Sequence, residues 1–210
     1  MEFLSYAHPV LSCQEAKVLE SRILVDEASQ WTAMKMAGQG IAKQLVQDYA
    51  ELCPPPEYLR VLALIGKGNN GGDALIACGQ LLADFPRARV DLILTLPAEE
   101  LRPLAARALQ QLEGRVEAHQ VSNENGVSEI TEMLSNAAGS EGFHICIDGL
   151  LGMAFLPPLR APFASLIEAV NTFEAINLRA SVDLPSGKGD GVKNDTISFQ
   201  ADFTYATGIA

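Results

Sequence analysis

The chain has 210 residues and a formal net charge of -11 at pH 7. This acidic balance excludes nucleic acids and anionic membranes as main partners, because both select clustered Lys and Arg. No apolar run reaches the ~20 residues that span a bilayer, and the length predicts one globular domain over residues 1–210.

The four cysteines, Cys13, Cys53, Cys78 and Cys146, are widely spaced and include no C-x-x-C pair. This spacing predicts neither a zinc site nor a redox motif, and we expect buried, reduced thiols. Residues 1–17 lack the basic and long apolar segments of a secretory signal. We therefore expect a soluble protein of a reducing compartment and assign it to the cytoplasm, although an organelle would fit the same pattern.

Two helices are predicted at the N-terminus. Ser12 and Glu15 have the spacing of a capping box, so the first helix is expected to begin near residue 12. The second is expected over about 29–51, where an apolar stripe of helical period includes Met34 and Ile41, and a run of prolines ends it. A stripe of this kind is typical of a buried core face.

From Arg60 onward, apolar strand-like runs alternate with helical patterns, which is the βαβ signature. Strands are predicted at RVLALIG, ARVDLILTLP, RVEAHQV, FHICIDGLLG, NLRASVDLPSG and SFQADFTYATGIA. Helices are predicted over 72–83 and at AEELRPLAARALQQLE, NGVSEITEMLSNAA and APFASLIEAVNTF. The predicted fold is a Rossmann-like three-layer α/β/α sandwich with a mostly parallel sheet of order 3-2-1-4-5 and two extra N-terminal helices.

The turn after the first strand is rich in glycine. Gly66, Gly68 and Gly71 fit the dinucleotide spacing G-x-G-x-x-G, in which backbone N–H groups approach a pyrophosphate at a helix N-terminus. The residues that fill this turn, 69–73, add two amides and a carboxylate. Asp73 can be interpreted as a helix cap, or the side-chain oxygens can bind a polar ligand group or a hard cation.

Three loops at strand ends carry polar side chains that a turn alone does not require. They span residues 69–73, 148–158 and 183–187. In a doubly wound sheet of the predicted order, these carboxyl-end loops converge on the switch-point crevice. An individual aspartate in them can instead serve a turn or a cap, but the sequence favours one common site.

Two other enzyme classes are disfavoured. A nicotinamide dehydrogenase expects an acidic residue at the end of the second strand, whereas Asp91 lies near its start. A hydrolase triad is not indicated, because Ser186 stands in D-L-P-S-G rather than G-x-S-x-G and no motif ties it to His8, His119 or His144. We expect His144 to be a core histidine.

The ordered motifs NNGGD, IDGLLG and VDLPSG, together with MKMAGQGIA, resemble the YjeF N-terminal domain family, the NAD(P)H-hydrate epimerases. The likeness runs from about Leu11 to the end of the chain. It implies a metabolite-repair isomerase whose substrate is hydrated NADH or NADPH, with the R and S epimers at C6 of the nicotinamide ring interconverted. The dinucleotide would then be the substrate.

The resemblance also implies roles for individual residues. Asn70, Asp148 and Ser186 would bind one potassium ion per subunit, which suits a hard cation. Asp183 would act as general acid/base. Substrate contacts are implied for Asn69, Asn70, Gly71, Gly72, Asp73, Gly152, Met153, Ala154, Phe155, Leu156, Pro157, Pro158 and Asp183.

The chain also departs from the family pattern. Gly152-Met153-Ala154 replaces the usual Gly-Thr-Gly, and a closing strand and helix are expected beyond Ala210, so the C-terminal edge reads as truncated. The resemblance further implies a homodimer and a functional link to a dehydratase. A noncatalytic nucleotide- or protein-binding scaffold module is the alternative function, and an enzyme for another nucleotide or phosphorylated metabolite shares the architecture.

Overall fold

A six-stranded parallel sheet forms the centre of the fold in the computed structural model, which describes residues 11–190, 192 and 196–207. The strands are β1 Arg60–Ile65, β2 Arg89–Leu94, β3 Glu117–Gln120, β4 Phe143–Gly149, β5 Ile176–Val182 and β6 Phe203–Tyr205. Their order is β3-β2-β1-β4-β5-β6. This confirms the predicted order and the α/β class. His8 and the last three residues of the sixth predicted strand segment lie outside the described residues.

Helices cover both faces of the sheet. They are α1 Cys13–Ile23, α2 Glu27–Leu52, α3 Asn69–Asp84, α4 Pro103–Gln110, α5 Val127–Ala138 and α6 Phe163–Thr172. One core lies between α2, α3, α4 and the sheet, and the other lies between the sheet and helices α5 and α6. Alternate residues of β1 enter the two cores, as Val61 and Leu62 do, because successive side chains of a strand point to opposite faces.

The two N-terminal helices are present, and both begin with a capping box. Ser12 accepts a hydrogen bond from the Glu15 backbone N–H, as predicted. Asp26 accepts one from Ser29, so α2 begins two residues earlier than predicted. Helix α2 buries its apolar stripe, including Met34, whereas α1 has no buried residue. Helix α2 is therefore part of the core, and α1 is a surface element.

The predicted start of the third helix is wrong. Helix α3 begins at Asn69, and Gly68 is its N-cap, so the NNGG segment forms the first helical turn rather than a loop. The capping interpretation of Asp73 is also wrong, since this residue lies beyond the first turn and is buried. Both errors have one physical cause. Asn and Gly have low helix propensity, but here tertiary contacts fix the turn.

Other local predictions need smaller corrections. The segment AEELRPLAARALQQLE contains a 3-10 turn, Ala98–Glu100, before α4 begins with Pro103 at its first position. Cys78 and Cys146 are buried as expected, whereas Cys53 is exposed and Cys13 is half-buried. Among the helices of the described chain, none combines the length and the apolarity that crossing a membrane requires.

Candidate active site

The side chain of Asn70 connects the three predicted loops. It lies in the first turn of α3, and its Nδ2 donates hydrogen bonds to the carbonyl of Leu151 and to that of Val182, both at 3.0 Å. These carbonyls follow β4 and end β5. The predicted convergence of the three strand-end loops is therefore confirmed, and the amide oxygen of Asn70 has no hydrogen-bond donor among the described residues.

Close backbone contacts explain the glycines around Asn70. A Cβ at Gly71 would collide with the carbonyl of Gly66, and a Cβ at Gly152 would lie 2.5 Å from Oδ1 of Asn70. The first turn of α3 thus packs directly against the end of β1 and against the loop after β4. Glycine is required because any side chain would separate these segments.

Asp148 and Ser186 form a buried pair below this turn. Oδ1 of Asp148 accepts the Ser186 hydroxyl at 2.6 Å, and Oδ2 accepts the Ser186 backbone N–H at 2.8 Å. The hydroxyl oxygen of Ser186 in turn accepts the Leu151 N–H at 2.9 Å. Burial raises the pKa of Asp148 to about 6, although the hydrogen bonds from Ser186 and Leu150 oppose this rise. The carboxylate still carries a charge at neutral pH.

The donor set fits a potassium ion chemically. Asn70, Asp148 and Ser186 offer an amide, a carboxylate and a hydroxyl oxygen, which are the ligand types of hard cations. Asp148 is fully buried, and within the described residues no cationic side chain pairs with it. A buried charge without a partner is unfavourable, and a bound cation would offset it.

A cavity of about 350 Å³ opens beside Asn70 at the carboxyl ends of β1, β4 and β5. Its walls come from α1, α2, the first turns of α3 and α4, and the loops after β1, β4 and β5. The residues that line it are Lys17, Glu20, Leu24, Gln30, Ala33, Met34, Ala37, Lys67, Gly68, Asn69, Asn70, Asp73, Arg102, Leu104, Leu150, Leu151, Gly152, Met153, Ala154, Phe155, Phe163, Asp183 and Thr207.

Asp183 lies in this cavity directly after β5. Its φ of 65° makes it the one non-glycine residue with a left-handed backbone in the described chain. Its backbone N–H donates to the Tyr205 carbonyl at 2.8 Å, which fixes this turn to β6. Burial raises the pKa of the carboxyl group, and hydrogen bonding from the Met153 backbone partly offsets the rise. Strained backbone of this kind is concentrated at functional sites.

Asp73 places a second carboxyl group in the cavity wall. Its exposed fraction is 6%, and its side chain has no hydrogen-bond donor or ion-pair partner among the described residues. Burial first, and then the charges of Asp183 and Glu20, raise the pKa of Asp73 to about 8. A group in this environment is uncharged at neutral pH and can donate a hydrogen bond to a ligand.

Basic side chains surround the same cavity despite the acidic net charge. Lys67 precedes α3 and Arg102 is the N-cap of α4, and the Arg102 N–H donates to the Lys67 carbonyl at 3.0 Å. Lys17 joins them from α1. All three side chains are exposed and are absent from the ion pairs of the described residues. They provide positive charge for an anionic ligand beside the N-terminus of α3.

The predicted substrate residues divide into three groups. Asn69, Asn70, Asp73 and Asp183 line the cavity, as do residues 152–155. Gly71 and Gly72 are buried in packing contacts behind it, Gly72 against Met34. Leu156, Pro157 and Pro158 are exposed and lie outside the cavity lining.

Sequence reasoning missed Lys17, Glu20, Lys67 and Arg102. The two α1 residues reach the cavity only because α1 lies across the carboxyl ends of the strands, and nothing in the helix pattern indicates that position. For Arg102 a weak signal existed, since it follows β2 on the same edge of the sheet as the other loops.

Asp91 and Ser186 are not placed as a nicotinamide dehydrogenase or a hydrolase triad requires. Asp91 is the third residue of β2, where it contacts Arg60 at 3.6 Å and His119 at 3.4 Å, and it does not lie at the strand end that a dehydrogenase would use. Ser186 has no histidine among its hydrogen-bond partners in the described chain. His144 is half-buried, and its Nδ1 accepts the Arg60 N–H at 2.9 Å, which is a structural role.

The chain matches one protein family over most of its length. The family described as YjeF-related protein N-terminus matches residues 32–210, which include most of α2, all six strands and the cavity-lining residues from Ala33 onward. The chain belongs to this family. The recognition of the YjeF N-terminal family from NNGGD, IDGLLG and VDLPSG is thereby confirmed.

Individual members of the YjeF N-terminal family extend this result. An NAD(P)H-hydrate epimerase from Rhodopirellula baltica is 33% identical over 202 residues, covering 93% of this chain and 73% of the relative. A bifunctional NAD(P)H-hydrate repair enzyme Nnr from Salinibacter ruber is 33% identical over 160 residues, which are 75% of this chain and 28% of the relative. The crystal structure of the yeast protein ynu0 has a TM-score of 0.69 at 20% identity, over 90% of this chain and 77% of that one, and supports the fold.

Proposed function

We propose that this protein is an NAD(P)H-hydrate epimerase, an isomerase that interconverts the R and S epimers of hydrated NADH or NADPH. The observation that carries the proposal is the placement of Asp183, a half-buried residue on a left-handed turn, in the cavity where three strand-end loops meet. Relatives of about 30% identity named as NAD(P)H-hydrate epimerases support the same function. No comparison favours the noncatalytic scaffold module.

The reaction needs proton transfer to the C6 hydroxyl group that leaves and from the water that returns. The C6 hydroxyl stands on a carbon bonded to the ring nitrogen, so the nitrogen lone pair can expel it as water once the oxygen is protonated. Water then adds to the planar cation, and addition to the other face inverts the centre. Asp183 is proposed as the general acid/base, a role that contributes typically about 10²- to 10⁴-fold in rate.

The environment of Asp183 suits this role. Burial raises its pKa, and the hydrogen bonding from the Met153 backbone limits the rise, so both protonation states become accessible closer to neutral pH. The contact comes from the backbone, and replacing the family's threonine by Met153 does not remove it. The departure Gly152-Met153-Ala154 is therefore compatible with catalysis.

We also propose that Asn70, Asp148 and Ser186 hold the potassium ion. When bound, the ion would supply positive charge next to the buried Asp148 carboxylate and to the anionic substrate. The residues of this chain keep the site in place without it, because Ser186 bridges Asp148 to the Leu151 backbone.

The pyrophosphate of the substrate is expected at the basic side of the cavity. Asn69 and Asn70 are the first two residues of α3, where backbone N–H groups have no partner within the helix and favour an anion. Lys67 and Arg102 lie beside this turn. The nicotinamide end would then lie towards Asp73 and Asp183.

Two partners are expected, a second copy of the chain and a dehydratase. A homodimer through the N-terminal helices is supported by exposed apolar side chains there, including Ile23, Val25 and Met36, which are 47%, 74% and 70% exposed. Light scattering after size exclusion tests it, and a monomer mass would contradict it. The bifunctional relatives support a functional link to a dehydratase.

Incubation of the purified protein with the R epimer of hydrated NADH tests the function. Chromatography separates the epimers, and the protein is expected to bring the R and S forms to equilibrium faster than the spontaneous reaction. Replacing potassium by tetramethylammonium at equal ionic strength is expected to slow the reaction. An epimer ratio that changes only at the spontaneous rate would contradict the proposal and favour the scaffold function.

A further inference from the structure

The carboxyl group of Asp73 has no structural explanation. It is 94% buried, it is not the cap of α3, and no hydrogen-bond donor of the described chain reaches it. Burying a carboxyl group without a partner is unfavourable, and an apolar residue of similar size would fill the position better. The open side of Asp73 faces the cavity that also contains Asp183, where a bound ligand could supply the partner.

Inversion at C6 explains why two carboxyl groups are present. The hydroxyl leaves from one face of the nicotinamide ring, and water returns to the opposite face. A carboxyl group fixed on one side can reach only one of these oxygens. Asp73 comes from the second turn of α3 and Asp183 from the end of β5, so the two groups enter the cavity from different elements.

We propose that Asp73 is a second catalytic residue, which protonates the departing C6 hydroxyl while Asp183 deprotonates the water that adds to the other face. The C6–O bond breaks with its electron pair on oxygen, and the proton of Asp73 completes the leaving water. The nitrogen lone pair forms a C=N bond and is restored when the new C6–O bond forms. The released proton goes to Asp183, and the roles are reversed in the opposite direction. This proposal rests on the proposed epimerase function.

The charges around Asp73 support this division of roles. The charged groups that line the cavity are Glu20 and Lys17 from α1, Lys67 before α3, Arg102 at α4 and Asp183 after β5, while the lining residues of α2 carry no charge. Two carboxylates, Glu20 and Asp183, favour the protonated form of Asp73. The result is one neutral and one more readily ionised carboxyl group in one cavity, the state that acid and base catalysis requires.

The test compares Asp73→Asn with Asp84→Asn, which changes an exposed carboxyl group at the other end of the same helix. Asp73→Asn is expected to lower kcat about 10²- to 10⁴-fold, with KM within a few-fold of the wild type. The wild type is expected to lose rate above about pH 8, where Asp73 becomes ionised, and this loss should be absent from the residual activity of Asp73→Asn. Asp84→Asn should keep the kcat and pH profile of the wild type.

A second variant keeps the proposal testable if Asp73→Asn does not fold. Glu20→Gln removes a negative charge that favours protonated Asp73, so the alkaline loss of rate should begin at lower pH than in the wild type. An Asp73→Asn enzyme with wild-type kcat, or an alkaline limb unchanged in Glu20→Gln, would overturn the proposal and leave the epimerase function intact. Absence of epimerisation by the wild type would overturn both.

Discussion

Replacing Ser186 by alanine should destabilise the protein far more than loss of one ordinary hydroxyl group. The substitution removes the donor to the buried carboxylate of Asp148 and the acceptor of the Leu151 N–H. A hydrogen bond to a charged partner contributes about 1.5–3 kcal/mol, and an unsatisfied N–H costs about 1–3 kcal/mol. Together they predict a loss of about 3–5 kcal/mol in the free energy of unfolding.

Ser181→Ala provides the matched control. Ser181 is equally buried on β5, and its hydroxyl pairs with the neutral hydroxyl of Thr204 at 3.0 Å, so its loss should cost about 1 kcal/mol. Urea unfolding in potassium-free buffer, followed by the fluorescence of Trp31, measures both variants. This is the only tryptophan of the chain and is buried in α2.

The pH dependence sharpens the test. The pKa of Asp148 in the folded wild type is raised to about 6, so the fold loses stability as pH rises from about 4, where the unfolded chain ionises, to about 6, and no further above that value. Loss of the Ser186 donor raises this pKa further, so the variant continues to lose stability above about pH 6 and the gap between variant and wild type should widen there. A loss no larger than that of Ser181→Ala, or a gap that does not change with pH, would refute the reasoning.

Three further predictions test the walls of the cavity. Gly38→Ala places a Cβ 2.6 Å from the Asp73 carbonyl and should lower the free energy of unfolding by the ~1–3 kcal/mol or more found for overpacking. Gly40→Ala in the same helix is the control, because its Cβ meets no atom within 4 Å, and it should raise the free energy of unfolding by up to about 1 kcal/mol. Equal denaturation midpoints for the two variants would contradict this prediction. Met153→Ala should keep kcat within about threefold of the wild type in the epimer assay, because the hydrogen bond from Met153 to Asp183 is made by the backbone. A loss of kcat approaching the ~10²-fold typical of a proton-transfer residue would show that the Met153 side chain is needed. Asp73→Asn should be more stable than the wild type by up to about 4 kcal/mol near pH 7, because the raised pKa of about 8 makes the wild-type fold lose stability as pH rises from about 4 to about 8. In chemical denaturation, the difference in stability between the two proteins should therefore disappear near pH 4. A difference that does not change with pH would contradict the burial of a protonated Asp73.

The layout of the sheet and the meeting of three loops could be predicted because both follow from patterns along the chain. Buried runs such as β1 and β4 are continuous and apolar, and the alternation with helices leaves few topologies. The carboxyl-end loops of neighbouring strands must then converge. The loops of Asp148 and Ser186 were assigned to one site in this way, whereas the pairing of these two residues as ion ligands was implied by the family resemblance, and their direct hydrogen bond was not predicted.

What remained hidden depends on tertiary contacts. The first turn of α3 reads as a loop from its Asn and Gly content, and only the bonds of Asn70 to two distant carbonyls explain why it is helical. Glu20 enters the cavity because α1 lies across the strand ends, a position that its pattern does not encode. Leu156 and the two prolines after it share a loop with Met153, but they face solvent.

The rate at which Asp183→Asn interconverts the epimers of hydrated NADH tests the central claim most directly. The variant keeps the size of the side chain but cannot exchange a proton as a carboxyl group does. With Asp84→Asn as the folded control, the variant is expected to lose about 10²-fold or more in kcat while its unfolding midpoint stays close to that of the wild type. A folded Asp183→Asn protein that epimerises the substrate at the wild-type rate would contradict the account.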